Sequence, residues 1–241
     1  MGSRCLVIRR LGFRRFLGLI LLGIGIVFMV SQAWPVVQVY LNQQDVAVAN
    51  YTAEELQENA ADQSNGQFDF NEVRNVSAAE VNQVRSDIES GNADLDILGA
   101  VAIPNANLNT AVIKGMSDAA MVSGAGTMFP DQVMGQGNYT LTSHHIGYGT
   151  DILLNNISDS VTVGDKIYLT DLTNVYVYET FFVEAVNPDQ VQYISQEMTG
   201  DPIVTLMTCT ADLTQRWIVQ GNLTETVAFG EAPAEVQALF Q

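Results

Sequence analysis

Residues 203–216 of this 241-residue chain read IVTLMTCTADLTQR and contain a cysteine and an arginine seven residues apart. The run Ile203–Cys209 is apolar and β-branched, which is typical of a buried strand, and it ends at a cysteine. The polar stretch Thr210–Gln215 predicts a short loop, after which Arg216 opens another strand. The sequence therefore predicts a thiol held at a strand end, with a cation close by.

The chain has two histidines, His144 and His145, and they end another predicted strand. A histidine is the partner that a cysteine nucleophile needs at neutral pH, and a nearby cation favours both the thiolate and an oxyanion. Because neighbours on a strand point to opposite faces, only one of the two can face Cys209, and the pair cannot readily chelate one metal ion. Taken singly, each residue also fits a structural role. Cys209 fits a buried small hydrophobic residue, the two histidines fit surface polar residues, and Arg216 fits one partner of an ion pair.

Short β-type runs separated by turn residues fill the chain from about residue 97 onward. Their regular spacing, with one helical insertion near Ser117–Gly124, predicts a closed or sandwiched β-barrel. The predicted strands are Ile97–Ile103, Ala111–Ile113, Tyr139–His144, Lys166–Asp171, Val175–Val186, Val191–Ile194, Ile203–Cys209 and Trp217–Gly221.

Charge is distributed unevenly along the chain, which has 10 Lys+Arg, 27 Asp+Glu and a formal net charge of −17. Five of the basic residues lie within residues 1–15, so the remainder carries 5 bases against 27 acids, a net charge of −22. Binding to a polyanion needs clustered Lys and Arg, so this composition excludes a nucleic-acid partner. Two cysteines also exclude a disulfide scaffold and a four-cysteine zinc site.

Residues 16–34 (FLGLILLGIGIVFMVSQAW) carry no charge and predict a transmembrane helix about 29 Å long. The basic tip, residues 1–15, predicts a cytoplasmic amino terminus and an extracytoplasmic remainder, and therefore a single-pass protein of the cell membrane. A cleaved signal peptide is the alternative, because Ser31-Gln32-Ala33 resembles a small-x-small cleavage site. Both interpretations place the rest of the chain outside the cytoplasm.

Three further segments follow the predicted membrane helix. Residues 35–93 are polar and acidic and predict a partly helical extracytoplasmic spacer, with helix starts at Thr52 and Ser77. Residues 94–230 contain the predicted strands and form the predicted barrel domain. Residues 231–241 predict a short acidic tail.

The motifs taken together resemble the catalytic signature of class A sortases. That signature is a histidine at a strand end, a TLxTC strand and an arginine opening the final strand. Here it corresponds to Ser143-His144-His145, Thr205–Cys209 and Arg216, within a likeness over roughly Leu98–Leu223. The Ser-His-His form is similar to the streptococcal and lactobacillal branch. The resemblance implies a mainly β fold, a closed eight-stranded sortase-type β-barrel with short helices, preceded by an N-terminal transmembrane helix.

The resemblance also implies roles for individual residues. Cys209 is the expected nucleophile, His144 the general acid/base, and Arg216 the group that holds substrate and stabilises the oxyanion. The residues expected to line the substrate groove are Thr208, Ser143 and Thr142. In the family, an LPXTG-type sorting signal is cleaved between Thr and Gly. The resulting thioacyl-enzyme is resolved by an amine of a peptidoglycan precursor of the lipid II type.

No cofactor is expected from the resemblance. Some class A members bind calcium through acids near the loop before the cysteine strand, where this chain has Glu197 and Asp201, but the sequence provides no basis for a site. Pilin-polymerising class C sortases usually carry an Asp-Pro-aromatic lid and a second membrane span, and neither is seen in this sequence. The sequence is also compatible with a catalytically silent extracytoplasmic β-domain that binds surface partners, and with a plain cysteine protease.

Overall fold

The computed structural model describes residues 3–62, 66–93, 95–147, 151–196 and 200–241, with the side chains of the first helix described from residue 15 onward. The α-helices are α1 (Ser3–Asp45), α2 (Ala53–Ala61), α3 (Ala78–Glu89), α4 (Asp118–Ser123) and α5 (Ala234–Gln237). The strands are β1 (Ile97–Ile103), β2 (Leu108–Ile113), β3 (Ala125–Thr127), β4 (Asn138–Ser143), β5 (Lys166–Thr170), β6 (Asn174–Val186), β7 (Ile203–Cys209) and β8 (Arg216–Ala228).

The eight strands close into a barrel in the order β1-β2-β3-β4-β7-β8-β6-β5. Two neighbouring pairs, β2–β3 and β4–β7, are parallel, and the other pairs are antiparallel. Alternate side chains point inward because successive residues of a strand face opposite sides. On β7 these are Val204 and Leu206, which are fully buried in the barrel core with Leu141 and Val219. The predicted closed, eight-stranded β-barrel is confirmed.

One strand prediction is wrong, and one strand of the structure was not predicted. Val191–Ile194 is a 3-10 helix and not a strand, and the side chain of Val191 is exposed. Its apolar residues therefore do not mark a buried strand. The missing strand is β3, where Ala125–Thr127 pairs with β2 and β4. Three small residues carry almost no strand signal of their own, and pairing on both sides makes them a strand.

The other predicted strands are present: Ile97–Ile103 and Ile203–Cys209 have the predicted ends, and the rest have shifted ends. β2 and β8 are longer than the predicted Ala111–Ile113 and Trp217–Gly221. β4 ends at Ser143, so His144 lies just beyond the strand rather than within it. The predicted helical insertion is α4, which begins after Ser117, whose hydroxyl accepts a hydrogen bond from the N–H of Ala120.

The first helix is continuous from Ser3 to Asp45. Its segment Arg15–Asp45 has a mean hydropathy of 2.3 in its most apolar part and is long and apolar enough to cross a membrane. The helix extends beyond the predicted span, residues 16–34. Its last turns pack on the protein, where Val39 is buried with residues of α3 and α4.

The predicted spacer, residues 35–93, packs on the barrel. Both predicted helix starts are capping boxes, Thr52 with Glu55 and Ser77 with Glu80, which satisfy the free N–H groups of α2 and α3. From α2, Leu56 is 1% exposed and packs in a cluster that includes Ile97 of β1. These helices are therefore part of the folded domain, although its division at residues 93 and 94 remains a prediction.

The first prediction concerns this packing. We expect Leu56→Ala to lower the free energy of unfolding by about 2–5 kcal/mol, because it leaves a cavity between α2 and β1. Urea unfolding of the full chain in detergent, followed by tryptophan fluorescence, measures the change. Glu58→Ala, at an exposed position of the same helix, is the matched control and should stay within about 0.5 kcal/mol. Equal effects in the two variants would contradict the packing of α2 on the barrel.

Candidate active site

Strand register brings three chemically active residues to one end of the barrel. β4 and β7 are parallel, with Ser143 opposite Thr208, so His144 and Cys209 follow the last paired residues on neighbouring strands. On the other side of β7, Cys209 is directly opposite Arg216 of β8. Because paired strands lie about 4.8 Å apart, the cysteine is placed between the histidine and the arginine.

The Cys209 thiol is free and half-buried at the end of β7. Burial raises its pKa because the low-dielectric surroundings disfavour the thiolate, and the charge of Arg216 opposes this rise. At rest Cys209 is therefore a neutral thiol. The guanidinium of Arg216 is in place to stabilise a negative charge on its sulfur.

Arg216, the strand partner of Cys209, lies on the wall of a cavity of about 260 Å³. One guanidinium nitrogen, Nη1, donates to the carbonyl of Gln215 at 3.0 Å, and among the described side chains no ion pair engages this arginine. The rest of the wall is mainly apolar. It is formed by β4, β7 and β8, the segment after β6 and the spacer, and it includes Thr142, Met207, Val191, Ile194, Phe70 and Val73.

His144 is 7% exposed and is held by α4. Its backbone N–H donates to the carbonyl of Met121 at 3.1 Å, and its ring Nε2 lies 3.3 Å from Oδ1 of Asp118. Burial lowers the pKa of His144 because it disfavours the imidazolium, whereas the hydrogen bond and charge of Asp118 oppose this lowering. At rest the ring is therefore neutral and has a carboxylate ready to stabilise its protonated form.

His145 has different surroundings. Burial also lowers its pKa, and the charge that opposes the change comes from Asp159. Within the described part of the chain, neither of its ring nitrogens has a hydrogen-bond partner. Among the described residues, His144 and not His145 therefore has the carboxylate contact, and the assignment of one histidine to Cys209 stays a prediction.

Comparison with known proteins identifies the chain. A family model described as "Sortase domain" matches residues 101–224. Sortase A of Listeria monocytogenes is 34% identical over 182 residues, which cover 74% of this chain and 77% of that protein. Sortase A of Bacillus anthracis is 35% identical over 185 residues, covering 74% of this chain and 85% of that protein. The chain belongs to the sortase family.

The solved structures agree with this membership. The crystal structure of Listeria monocytogenes sortase A superposes with a TM-score of 0.54 at 36% identity, covering 60% of this chain and 96% of that one. The relatives named sortase A identify a class A member, so the resemblance seen in the motifs is confirmed. The sortase described here is therefore an enzyme, a cysteine transpeptidase, and the interpretation as a catalytically silent domain is wrong.

The three residues predicted to line the groove of this sortase are placed differently from one another. Thr142 lies on the cavity wall. Ser143 and Thr208 are buried in the barrel wall, where Thr208 Oγ1 donates to the Ser143 carbonyl at 3.1 Å and Ser143 Oγ accepts from the Leu154 N–H at 3.2 Å. Thr208 therefore links the ends of β7 and β4, and Ser143 links the end of β4 to the segment around Leu154.

The structure adds residues to the site that sequence reasoning did not predict. Asp118 is 26 residues from His144 in the chain, and no spacing motif links them. Phe70 and Val73 come from the predicted spacer, and Phe70 packs against Phe129 with ring centroids 5.7 Å apart. Of the two acids considered for calcium, Glu197 lies outside the described residues and Asp201 is exposed.

The second prediction concerns the thiol. Because burial raises the pKa of Cys209 and Arg216 lowers it, alkylation of Cys209 by iodoacetamide should rise with pH to a midpoint above the usual range of a cysteine. In Arg216→Gln the midpoint should move higher still. Mass spectrometry of peptides separates Cys209 from Cys5 and gives the rate at each pH.

The matched control for this prediction is Lys166→Gln. It removes a cation that pairs with Glu179 on the wall formed by β5 and β6, so the Cys209 midpoint should not move. A midpoint in the Arg216 variant equal to that of the wild type would contradict the electrostatic coupling between the two residues.

Proposed function

We propose that this sortase cleaves an LPXTG-type sorting signal between Thr and Gly and joins the surface protein to an amine of a cell-wall precursor. The observation that carries the proposal is the placement of Cys209 between His144 and Arg216 at the end of β7. A thiol, a proton carrier and a cation are the three groups that acyl transfer through a thioester requires. Membership of the sortase family supports the same reaction.

In the first half-reaction, Cys209 acts as the nucleophile. Both groups are neutral at rest, so the thiol proton passes to His144 as Sγ attacks the carbonyl carbon of the threonine. The C–S bond forms and a negative charge develops on the carbonyl oxygen. The C–N bond to glycine then breaks, and the imidazolium of His144 donates its proton to the departing amine. A thioacyl-enzyme remains.

In the second half-reaction an amine of the acceptor attacks the thioester carbon. His144 accepts a proton from the attacking nitrogen, the new amide C–N bond forms, and the C–S bond breaks. Cys209 leaves as a thiolate and regains its proton from His144. The two half-reactions together break one amide bond and form another, so no oxidant or external energy source is needed.

Arg216 is proposed to bind the carbonyl oxygen and to stabilise its charge in the tetrahedral intermediate. A guanidinium presents five N–H donors, and here one of its nitrogens is used by the carbonyl of Gln215. The cavity lined by Arg216 and Thr142 has mainly apolar walls. Such walls suit the leucine and proline side chains of an LPXTG signal.

We also propose the location of the enzyme. The apolar part of α1 is the single-pass membrane anchor, and the five arginines of residues 1–15 keep the amino terminus in the cytoplasm. The catalytic barrel then lies outside the membrane, where surface proteins and cell-wall precursors meet. A pilin subunit is the alternative substrate and a water molecule the alternative acceptor.

The third prediction tests the nucleophile. Incubation with an LPXTG peptide should give a thioacyl adduct on Cys209 by mass spectrometry, and Cys209→Ser should lose cleavage and adduct together. Arg216→Ala should lower kcat/KM by about 10²–10³, the usual effect of losing an oxyanion donor. Cys5→Ser is the matched control, because it removes the other cysteine and should retain wild-type activity.

The same assay separates the competing functions. Transfer to an added amine that exceeds hydrolysis supports the transpeptidase, whereas hydrolysis alone would indicate a protease. Transfer to a pilin lysine in preference to a peptidoglycan-type amine would indicate pilin polymerisation. Retained cleavage by the Cys209 variant would contradict the proposed mechanism.

The fourth prediction tests the orientation with the same two cysteines. A membrane-impermeant maleimide added to intact cells should label Cys209 and leave Cys5 unlabelled. Permeabilised cells should show both labels, because Cys5 belongs to the proposed cytoplasmic tip. Labelling of Cys5 in intact cells would contradict the orientation, and its absence from the mature protein would indicate a cleaved signal peptide.

A further inference from the structure

The carboxylate of Asp118 contacts the ring of His144 from the side of α4. Asp118 is the first residue of this helix, and Oδ1 lies 3.3 Å from Nε2 of the histidine. The same helix also accepts the backbone N–H of His144, through the carbonyl of Met121 at 3.1 Å. Backbone and ring of the histidine are thus held by one short helix.

The second oxygen of the same carboxylate is held by the predicted spacer. Oδ2 of Asp118 lies 3.3 Å from Nη2 of Arg74, and Arg74 also pairs with Glu80 of α3. The two oxygens therefore have different partners, a guanidinium on one side and an imidazole on the other. Rotation of the carboxylate would break both contacts, so its orientation toward the ring is defined.

The contact determines which nitrogen of His144 carries the proton. An ionised carboxylate only accepts hydrogen bonds, so Nε2 must be the donor toward Asp118. In a neutral imidazole with a proton on Nε2, the other nitrogen, Nδ1, has the free lone pair. Nδ1 is then the nitrogen available for proton transfer.

We infer that Asp118 is a positioning residue for acyl transfer: it holds His144 through Nε2–H and leaves Nδ1 to exchange protons with Cys209 and the substrate amines. The inference rests on the proposed function, because that function assigns proton transfer to His144. Asp118 does not touch the reacting atoms in this assignment and acts through the ring that it orients.

Charge strengthens the effect of position. The charged groups that act on the ring of His144 are Asp118, Arg74 and Glu80. The titratable or charged residues next to it in the chain and along the sheet are His145, Cys209 and Arg216. Burial is the largest influence and lowers the pKa of His144, Asp118 and Glu80 raise it, and Arg74 lowers it. Removing the charge of Asp118 therefore lowers this pKa further and disfavours the imidazolium that must protonate the leaving amine.

The fifth prediction uses the pH dependence of kcat/KM for cleavage of an LPXTG peptide by the full-length enzyme. The profile should be bell-shaped, with an acid limb from His144 and a basic limb from Cys209. In Asp118→Asn we expect the acid limb to move to lower pH, the basic limb to stay, and kcat/KM at neutral pH to fall at least about tenfold.

The matched control is Asp131→Asn, which removes a carboxylate from an exposed turn before β4. It should leave both limbs and the rate unchanged. An acid limb that stays in place in Asp118→Asn, or an equal fall in the control, would overturn the inference. A lower melting temperature alone, without a shifted limb, would make Asp118 a structural residue and overturn it as well.

Nitrogen-15 NMR of the histidine rings is a readout that does not depend on activity. The His144 signal, assigned with a His145→Gln variant, should show the Nε2–H tautomer in the wild type and a tautomer mixture in Asp118→Ala. A wild-type Nδ1–H tautomer would overturn the inference. A wild type that transfers no sorting peptide would overturn the proposed function instead, and the NMR result would still decide the contact.

Discussion

The parallel ladder between β4 and β7 is the constraint on which the site depends. The two strands are about sixty residues apart in the chain, yet they pair from Asn138 with Ile203 to Ser143 with Thr208. A slip of one residue would turn every side chain of a strand to the other face. Both faces of β4 are buried, as is usual for parallel pairing, so the register has no alternative that keeps the core intact. His144, just beyond β4, and Cys209, the last residue of β7, therefore lie at the same level of the barrel.

Burial at this end of the barrel shifts the pKa values of the two central groups in opposite directions. It raises the pKa of the Cys209 thiol and lowers that of the His144 ring, so both groups rest in their neutral forms. The opposing charges lie beside them, Arg216 at the thiol and Asp118 at the ring. An ion pair between thiolate and imidazolium is thus costly at rest, and the flanking charges oppose that cost.

The segment between the apolar helix and the barrel contributes to the same end of the molecule. The last turns of α1 pack through Val39 against α3 and α4, and α4 carries the carboxylate that contacts His144. Phe70 and Val73 line the cavity beside Arg216. Through α3 and α4, the helix proposed to enter the membrane therefore packs beside the carboxylate that contacts His144.

Local patterns in the sequence determined most of the strands, both capping boxes, the apolar helix and the motif containing Cys209 and Arg216. These features depend on residues close together in the chain, where periodicity, turn residues and capping side chains act directly. Three features depended on tertiary structure. β3 is a strand because β2 and β4 flank it, Val191–Ile194 turns because no sheet edge accepts it, and Asp118 meets His144 across 26 residues. In each case the deciding contact is made by a segment distant in sequence, which local patterns do not contain.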